Sequence, residues 1–485
     1  FGDYEVNLTV PADHIVDATG VLQNEKDVLT KTQRNRWATA RKTFDKPVMI
    51  VTQKEAEKTE KGRAPGTKTW KFKAEKVRDF AFASSRKYIW DAMATNINGK
   101  TVMAVSLYPK EGNPLWEEHS TRAVATTLIE YSKLTFDYPY PKAISVHSER
   151  QGMEYPMICF NYGRPNADGT YSDRTKKGML GVIIHEIGHN FFPMIVNSDE
   201  RQWTWMDEGL NTFVEILAED AYDAELFASN PAKDITRYMG GDQSNISPIM
   251  SQGDYVKQFG PNAYTKPAAA LYILRKTIMG PELFDHAFRT YSQRWMFKHP
   301  TPEDFFRSME DASGMDLDWF WRGWFYTTNV TDIGIKGVKP LYLTDKPSER
   351  VVKLKTQYKQ YFDSLGDLVF ITDKKEDANP KAMDQYLDGK EAPAYIYSVE
   401  FEKPGGLVMP LIVELTYADG TTEKQTFPSQ IWMKDDNTVK RVFSSTQEIK
   451  SFKVDPDFET ADVDVSNNSW PKKDSNKFDE FKANV

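Results

Sequence analysis

The chain has 485 residues, with 62 Lys and Arg against 70 Asp and Glu for a net charge of −8, and 40% hydrophobic and 13% aromatic residues. This composition excludes a disordered or fibrous chain, and at about 150 residues per domain the length calls for about three cores. The deficit of positive charge offers no field to phosphate backbones and excludes nucleic acid as the expected partner; the single cysteine, Cys159, excludes an intrachain disulfide, a cysteine-cage zinc site and an iron–sulfur cluster, so any metal here must use His and carboxylates.

From Phe1 to Val10 the sequence alternates, with Tyr4, Val6, Leu8 and Val10 on one face and Asp3, Glu5, Asn7 and Thr9 on the other, which predicts a half-buried strand. That strand opens the sequence with no initiator Met or signal peptide before it, so the sequence is expected to start inside a domain, with an upstream piece missing. Further strands are expected around Val48 to Thr52 and Thr67 to Ala83, with the charged segment Lys54 to Gly66 between them as an exposed loop. Residues 1–88 therefore read as a partial, mostly β N-terminal domain.

Helical spacing then takes over in Ser120–Phe136, Lys177–Asn190, Met206–Ala221, Tyr264–Ile278 and Pro302–Thr327, so that residues 89–332 read as a mainly helical domain. The longest apolar stretch, Gly178 to Val196, is interrupted by His185, Glu186, His189 and Asn190, so no membrane-spanning helix is expected. After Asp332 the period returns to two. Leu411, Val413, Leu415 and Tyr417 share a face, Asp419-Gly420 makes a hairpin turn, and Thr421 to Phe427 returns. Residues 333–471 are expected to form a C-terminal β-sandwich and 472–485 a polar tail. There is no internal repeat.

The chemistry concentrates at His185-Glu186-Ile187-Gly188-His189, an HExxH pattern inside a helical stretch. A spacing of four puts both imidazoles on one helix face, where they can chelate one zinc, while Glu186 lies beside the metal and can take a proton from its water. A metzincin would need a His six residues after the second His; that position is Ile195. A carboxylate further on would instead give a His₂Glu site with an open fourth position. Glu208, 19 residues after His189 at the start of a second helical stretch, fits, and Glu215, seven residues later on the same face, is placed to accept a hydrogen bond from a ligand imidazole. The other five histidines, His14, His119, His147, His286 and His299, carry no such pattern.

At these residues the sequence resembles the gluzincin aminopeptidases related to aminopeptidase N and leukotriene hydrolase, whose signature is HExxH, eighteen residues and Glu. That family carries a Gly-x-Met-Glu-Asn motif about thirty residues before the zinc helix, its Glu gripping the free α-amine of the substrate. The matching run here is Gln151-Gly152-Met153-Glu154-Tyr155, which keeps Met and Glu and replaces the outer Gly and Asn. The resemblance therefore implies Glu154 as amine anchor, with Gly152 and Met153 beside it in the substrate site. The family's catalytic tyrosine lies in a Tyr-x-Lys-Gly run. Ala263-Tyr264-Thr265-Lys266-Pro267 matches Tyr and Lys with Pro for Gly, and implies Tyr264 as donor to the oxyanion. Asp207 stands where the family usually has Asn, and Phe191-Phe192 where a Trp is often found. The glutamine that shapes the family's first side-chain pocket comes from upstream of Phe1.

The resemblance implies a multidomain α+β chain: a partial N-terminal β domain, a thermolysin-like catalytic domain and a C-terminal β-sandwich. It implies one zinc per chain, peptide substrates with a free N-terminal amine and a location in the periplasm, the cell envelope or outside the cell, with the cytoplasm also open. Two alternatives stand beside the aminopeptidase. One is an endopeptidase or epoxide-type hydrolase using the same zinc; the other is a zinc-stabilised scaffold that binds peptides or glycans without turnover, which retention of Glu186 argues against because a structural site needs no general base.

Overall fold

A computed structural model of the chain describes residues 1–366, 368–386 and 393–472. Two compact units emerge. The first comprises Phe1–Pro231, Ser244–Trp321 and Phe325–Thr327, and the second the described residues of Ala232–Gln243, Arg322–Trp324 and the chain from Thr328 on.

The first unit opens with β1 (Gly2–Pro11), whose exposure alternates as the sequence pattern requires. Strand β2 (Val48–Val51) follows, and then helix α1 (Gln53–Glu60). The segment expected to be a loop, Lys54 to Gly66, is thus half helix. A capping box starts it: the Thr52 hydroxyl accepts from Glu55 N–H while the Glu55 carboxylate accepts from Thr52 N–H, so two orphan amide donors are satisfied reciprocally and the charged composition is overridden. A second helix, Lys31–Ala40, starts on a capping box from Thr30 and Gln33, so residues 1–88 are less purely β than their alternation predicts. Strand β3 (Thr67–Val77) pairs antiparallel with β1.

Strands β4 (Ile89–Ile97) and β5 (Lys100–Tyr108) form a hairpin, with Asn98 and Gly99 both at positive φ as a type I′ turn requires. Strands β6 (Lys142–His147) and β7 (Ile158–Asn161) add parallel to it, giving a five-stranded sheet in the order β7-β6-β5-β4-β2. Four of its strands, β4 to β7, lie in the stretch expected to be mainly helical. Residues 89–95 and 102–108 are buried without a break, so both faces of these strands are covered and the period-two signal is erased.

Helix α2 (Leu115–Leu134) connects β5 to β6; α3 (Asp173–Gly188), opened by the Ser172 hydroxyl on Thr175 N–H, and α4 (Thr204–Phe227) pack with it. Trp205, at the start of α4, is held in an aromatic cluster, 4.8 Å from the Phe325 ring and stacked at 5.9 Å on Phe306. The helix expected over Tyr264–Ile278 is in three parts: a π-helical turn at Pro261–Thr265, α5 (Lys266–Ile273), and a second π-helical segment at Leu274–Met279. Pro302–Thr327 divides into helices Pro302–Ser313 and Asp318–Tyr326, the first ending on Gly314 in the left-handed region.

In the second unit, strands β8 (Gly334–Thr344), β9 (Tyr395–Glu402) and β12 (Thr438–Ser445) form one four-stranded sheet with the short strand Phe370–Thr372; β10 (Leu411–Tyr417), β11 (Thr422–Phe427) and β13 (Ile449–Val454) form another with Ser469–Trp470. Rings from the two sheets meet: Tyr397 and Phe443 lie 5.8 and 5.2 Å from Phe452. The β10–β11 hairpin turns at Gly420 with φ +85°, in keeping with the Asp-Gly signal. The polar tail expected over 472–485 lies, from 473, outside the described residues. No helix among the described residues is long and apolar enough to cross a membrane.

Candidate metal centre and active site

His185 and Glu186 lie in the last turn of α3, and His189 caps it. Glu208 and Glu215 lie two turns apart on α4. Packing of the two helices brings three ligand atoms together. His185 Nε2 is 2.9 Å from His189 Nε2 and 3.1 Å from Glu208 Oε2, and His189 Nε2 is 3.3 Å from the same oxygen. Ligand atoms of a tetrahedral zinc, with bonds of about 2.0–2.1 Å, are about 3.3 Å apart.

The outer nitrogens decide whether a metal fits. His185 Nδ1 lies 2.8 Å from Glu215 Oε2, and His189 Nδ1 lies 2.8 Å from the Phe192 carbonyl. Both acceptors place the proton on Nδ1, which turns both Nε2 lone pairs toward Glu208. Two lone pairs and a carboxylate facing one point repel unless a cation sits between them. The electrostatics agree: burial alone would depress His185, yet Glu215 and Glu208 lift it to about 10, so the pocket favours positive charge at that place. Glu208 is held well below the usual carboxylate range; its burial acts the other way and is outweighed by the two imidazoles. The residues present fit a His₂Glu zinc site.

Glu186 is 5% exposed, and its Oε2 has no hydrogen-bond partner among the described residues. Burial pushes its carboxyl up to about 7, with the imidazoles opposing the rise and Glu154 and Glu208 adding to it. Gly152 passes directly over it at φ +65°; a Cβ there would lie 2.5 Å from Glu186 Oε1. The next residue, Met153, exchanges backbone hydrogen bonds with Phe160 at the sheet edge, 2.9 and 2.8 Å. This bridge sets Glu154 beside the metal ligands: one of its carboxylate oxygens, a His189 nitrogen and an Asp207 carboxylate oxygen all lie within 4.8 Å of one another.

Tyr264 donates to Glu208 Oε1 at 2.6 Å, and its ring stacks on His185 at 5.7 Å. Gly209 permits this approach, because a Cβ there would lie 2.4 Å from Pro267 Cγ and 3.0 Å from the Ala263 carbonyl. Burial and the neighbouring Glu208 raise the phenol well above its ordinary range, so the hydroxyl stays protonated as a donor.

The supporting roles of three residues escaped the sequence reading. Asn211 donates to the His185 carbonyl (2.8 Å) and accepts from Tyr131 OH (2.8 Å), tying α2, α3 and α4 beside the candidate metal ligands. Asp207, buried, has its Oδ1 3.1 Å from His189 Nδ1. Asn190 accepts from the Met157 amide (2.7 Å) and so joins the end of α3 to the loop that carries Glu154. Asn211 was open to the period argument, since it falls between Glu208 and Glu215 on one helix face; the others depend on contacts across the fold.

The peptidase family M1 domain matches residues 120–324, a span that contains Glu154, the HExxH helix, Glu208, Glu215 and Tyr264. Aminopeptidase M1-A of Oryza sativa subsp. japonica is 22% identical over 244 residues, 48% of this chain and 28% of its own length. Leukotriene A-4 hydrolase of Xenopus laevis is 25% identical over 204 residues, 39% of this chain and 32% of its own. The chain therefore spans about a third or less of the length of these two relatives. Among solved structures, aminopeptidase A of Legionella pneumophila superposes with a TM-score of 0.59 at 12% identity, covering 95% of this chain and 44% of that one, a likeness of fold.

Proposed function

The chain carries a peptidase family M1 domain over residues 120–324, and from that premise we propose that it acts as a zinc-dependent aminopeptidase, removing the N-terminal residue from peptides. The observation that carries this reading is a Glu154 carboxylate oxygen within 4.8 Å of a His189 nitrogen and an Asp207 carboxylate oxygen, beside the His₂Glu cluster. A substrate ammonium paired with Glu154 would leave room for one residue before the scissile bond, and a blocked N-terminus would have no charge to offer there.

His185, His189 and Glu208 would hold one zinc per chain, which supplies Lewis acidity toward the scissile carbonyl and the attacking water. The remaining steps belong to the protein. Glu186 takes the proton of the water as it attacks and returns it to the departing amide nitrogen, a role suited to a carboxyl with an ordinary value shifted toward neutrality. Tyr264 donates its hydroxyl to the oxygen of the tetrahedral intermediate. Gly152 and Met153 form the strand-edge segment against which the substrate backbone lies. Glu215 holds the His185 ring. The proposal extends to the architecture: a β-rich N-terminal part over 1–88, a thermolysin-like catalytic domain over 89–332 and a C-terminal β-sandwich over 333–471.

A panel of fluorogenic aminoacyl amides beside their N-acetylated twins, with zinc determined on the same sample, tests this reading. Cleavage of the free-amine substrates alone is expected. Equal cleavage of both would make the protein an endopeptidase, and zinc bound with no cleavage would make it a scaffold.

A further inference from the structure

In the second unit, Ser348 caps helix Glu349–Gln357, its hydroxyl accepting from the Val351 amide, and the chain turns at Tyr358 into helix Lys359–Ser364. Neither helix buries a residue. Tyr358, Tyr361 and Leu365 follow one another at steps of three and four, the spacing of a single helix face. That face is open to solvent: the three residues are 53, 62 and 44% exposed. A surface helix ordinarily turns such a face to the core. Val352, in the preceding helix, is exposed as well.

The charges of this segment run against those of the whole chain. Residues 348–365 carry Arg350, Lys353, Lys355 and Lys359 against Glu349 and Asp363, in a protein of net charge −8. Three lysines elsewhere in the unit are tied to carboxylates, Lys336 and Lys440 to Glu400 and Lys346 to Asp377, whereas none of these four cations forms an ion pair among the described residues. As helix, Arg350 to Lys359 rises about 14 Å. The four cations therefore sum to one local positive potential, within little more than a Debye length of about 10 Å.

Exposed rings beside unpaired cations select among occupants. A second copy of the chain would set these cations against themselves across a two-fold axis. An acidic protein needs about 800 Å² of complementary surface for a stable interface, and the row from Tyr358 to Leu365 is only about 10 Å long. An anionic bilayer sets no such minimum, because each cation near its surface and each interfacial side chain adds its own increment to binding. Tyrosine suits that boundary, with an apolar ring to bury and a hydroxyl to keep wet.

We propose that Tyr358, Tyr361 and Leu365, with Arg350, Lys353 and Lys359, form a docking surface for a membrane rich in anionic phospholipid. The apolar row enters the headgroup layer and the cations face the lipid phosphates. This surface is independent of the metal centre and of the chemistry proposed for it.

Co-sedimentation of the full chain with vesicles tests the proposal, using phosphatidylcholine alone and phosphatidylcholine with about 30% phosphatidylglycerol. Binding to the anionic vesicles is expected at about 1 mM lipid in low salt, and at least about tenfold weaker in about 0.5 M salt. Lys353→Glu combined with Lys359→Glu is expected to weaken binding at least about 20-fold. Tyr361→Ser, which leaves every charge in place, is expected to weaken it about fivefold. Both variants should unfold at the parental temperature, since all three side chains are exposed. Equal binding to the two kinds of vesicle, no binding up to about 5 mM anionic lipid, or parental binding by either variant would overturn the proposal. Poly-glutamate that binds as tightly as the anionic vesicles, and loses that binding in Tyr361→Ser, would also overturn it and assign the surface to an acidic protein segment.

Discussion

Gly152 lies so close to Glu186 that a Cβ on it would be 2.5 Å from the carboxylate oxygen Oε1. The loop that carries Glu154 and the residue proposed to handle the proton are therefore set by one contact, and Gly152 meets it at φ +65°, where any side chain is strained. Gly152→Ala is expected to lower kcat about 100-fold, since either the carboxylate or the loop must move by an ångström or more. Zinc content should not change. Activity within about threefold of the parent would show that the loop yields at no catalytic cost.

Glu186→Gln keeps the shape and removes the base. Turnover of an aminoacyl amide is expected to fall at least about 1,000-fold, with zinc still bound at the parental level. Loss of metal in this variant would mean that Glu186 supports the site and does not act on the proton.

For Glu154→Ala the expected change is in KM: about 100-fold higher for free-amine substrates, from loss of a charge-assisted pair in a partly desolvated site, with zinc retained. Inhibition by an amino-acid hydroxamate should weaken in parallel, and that by its desamino analogue should not. A variant whose preference for free over acetylated amines is unaltered would remove Glu154 from the amine site.

Asn211→Ala leaves the His185 carbonyl and the Tyr131 hydroxyl, both tied by Asn211 in the native fold, without their partner. A destabilisation of about 2–3 kcal/mol is expected in chemical denaturation, together with weaker zinc retention against a chelator. Parental stability would show that these groups find other partners.

A pH effect should arise far from the metal, at Asp91. This side chain is 1% exposed and accepts from Tyr108 OH (2.5 Å) and from Thr121, and burial pushes its carboxyl up to about 7. The folded state then holds a proton that the unfolded chain gives up near pH 4, so stability is expected to fall as pH rises from about 4 to about 7 and to level off above that. The contribution is at most about 4 kcal/mol. Asp91→Asn, which cannot titrate, should lose less stability between pH 5 and pH 8 than the parent; parallel profiles would exclude Asp91 as the source.

The clustering of the candidate metal ligands was legible because a helix imposes its own geometry. His185 and His189 are one turn apart, and Glu208 and Glu215 two, so each pair shares a face whatever surrounds it. The β1 alternation and the Asp419-Gly420 turn were readable for the same local reason. The sheet β4 to β7 was not, because strands covered on both faces lose the alternation that marks them. Nor was α1, where a two-residue capping box outweighs a charged composition.

What period and composition alone determined, then, is which side chains share a helix or a strand face. The convergence of those faces is tertiary. Glu154 reaches the candidate metal ligands through the Met153–Phe160 bridge, and Tyr264 through the close approach of Gly209 to Pro267. Asn211 locks three helices around His185. A motif resemblance could point to Glu154 and Tyr264, but their distances to the candidate zinc ligands follow from packing between segments about 30 to 80 residues apart in the chain, and no periodicity along one segment encodes such contacts.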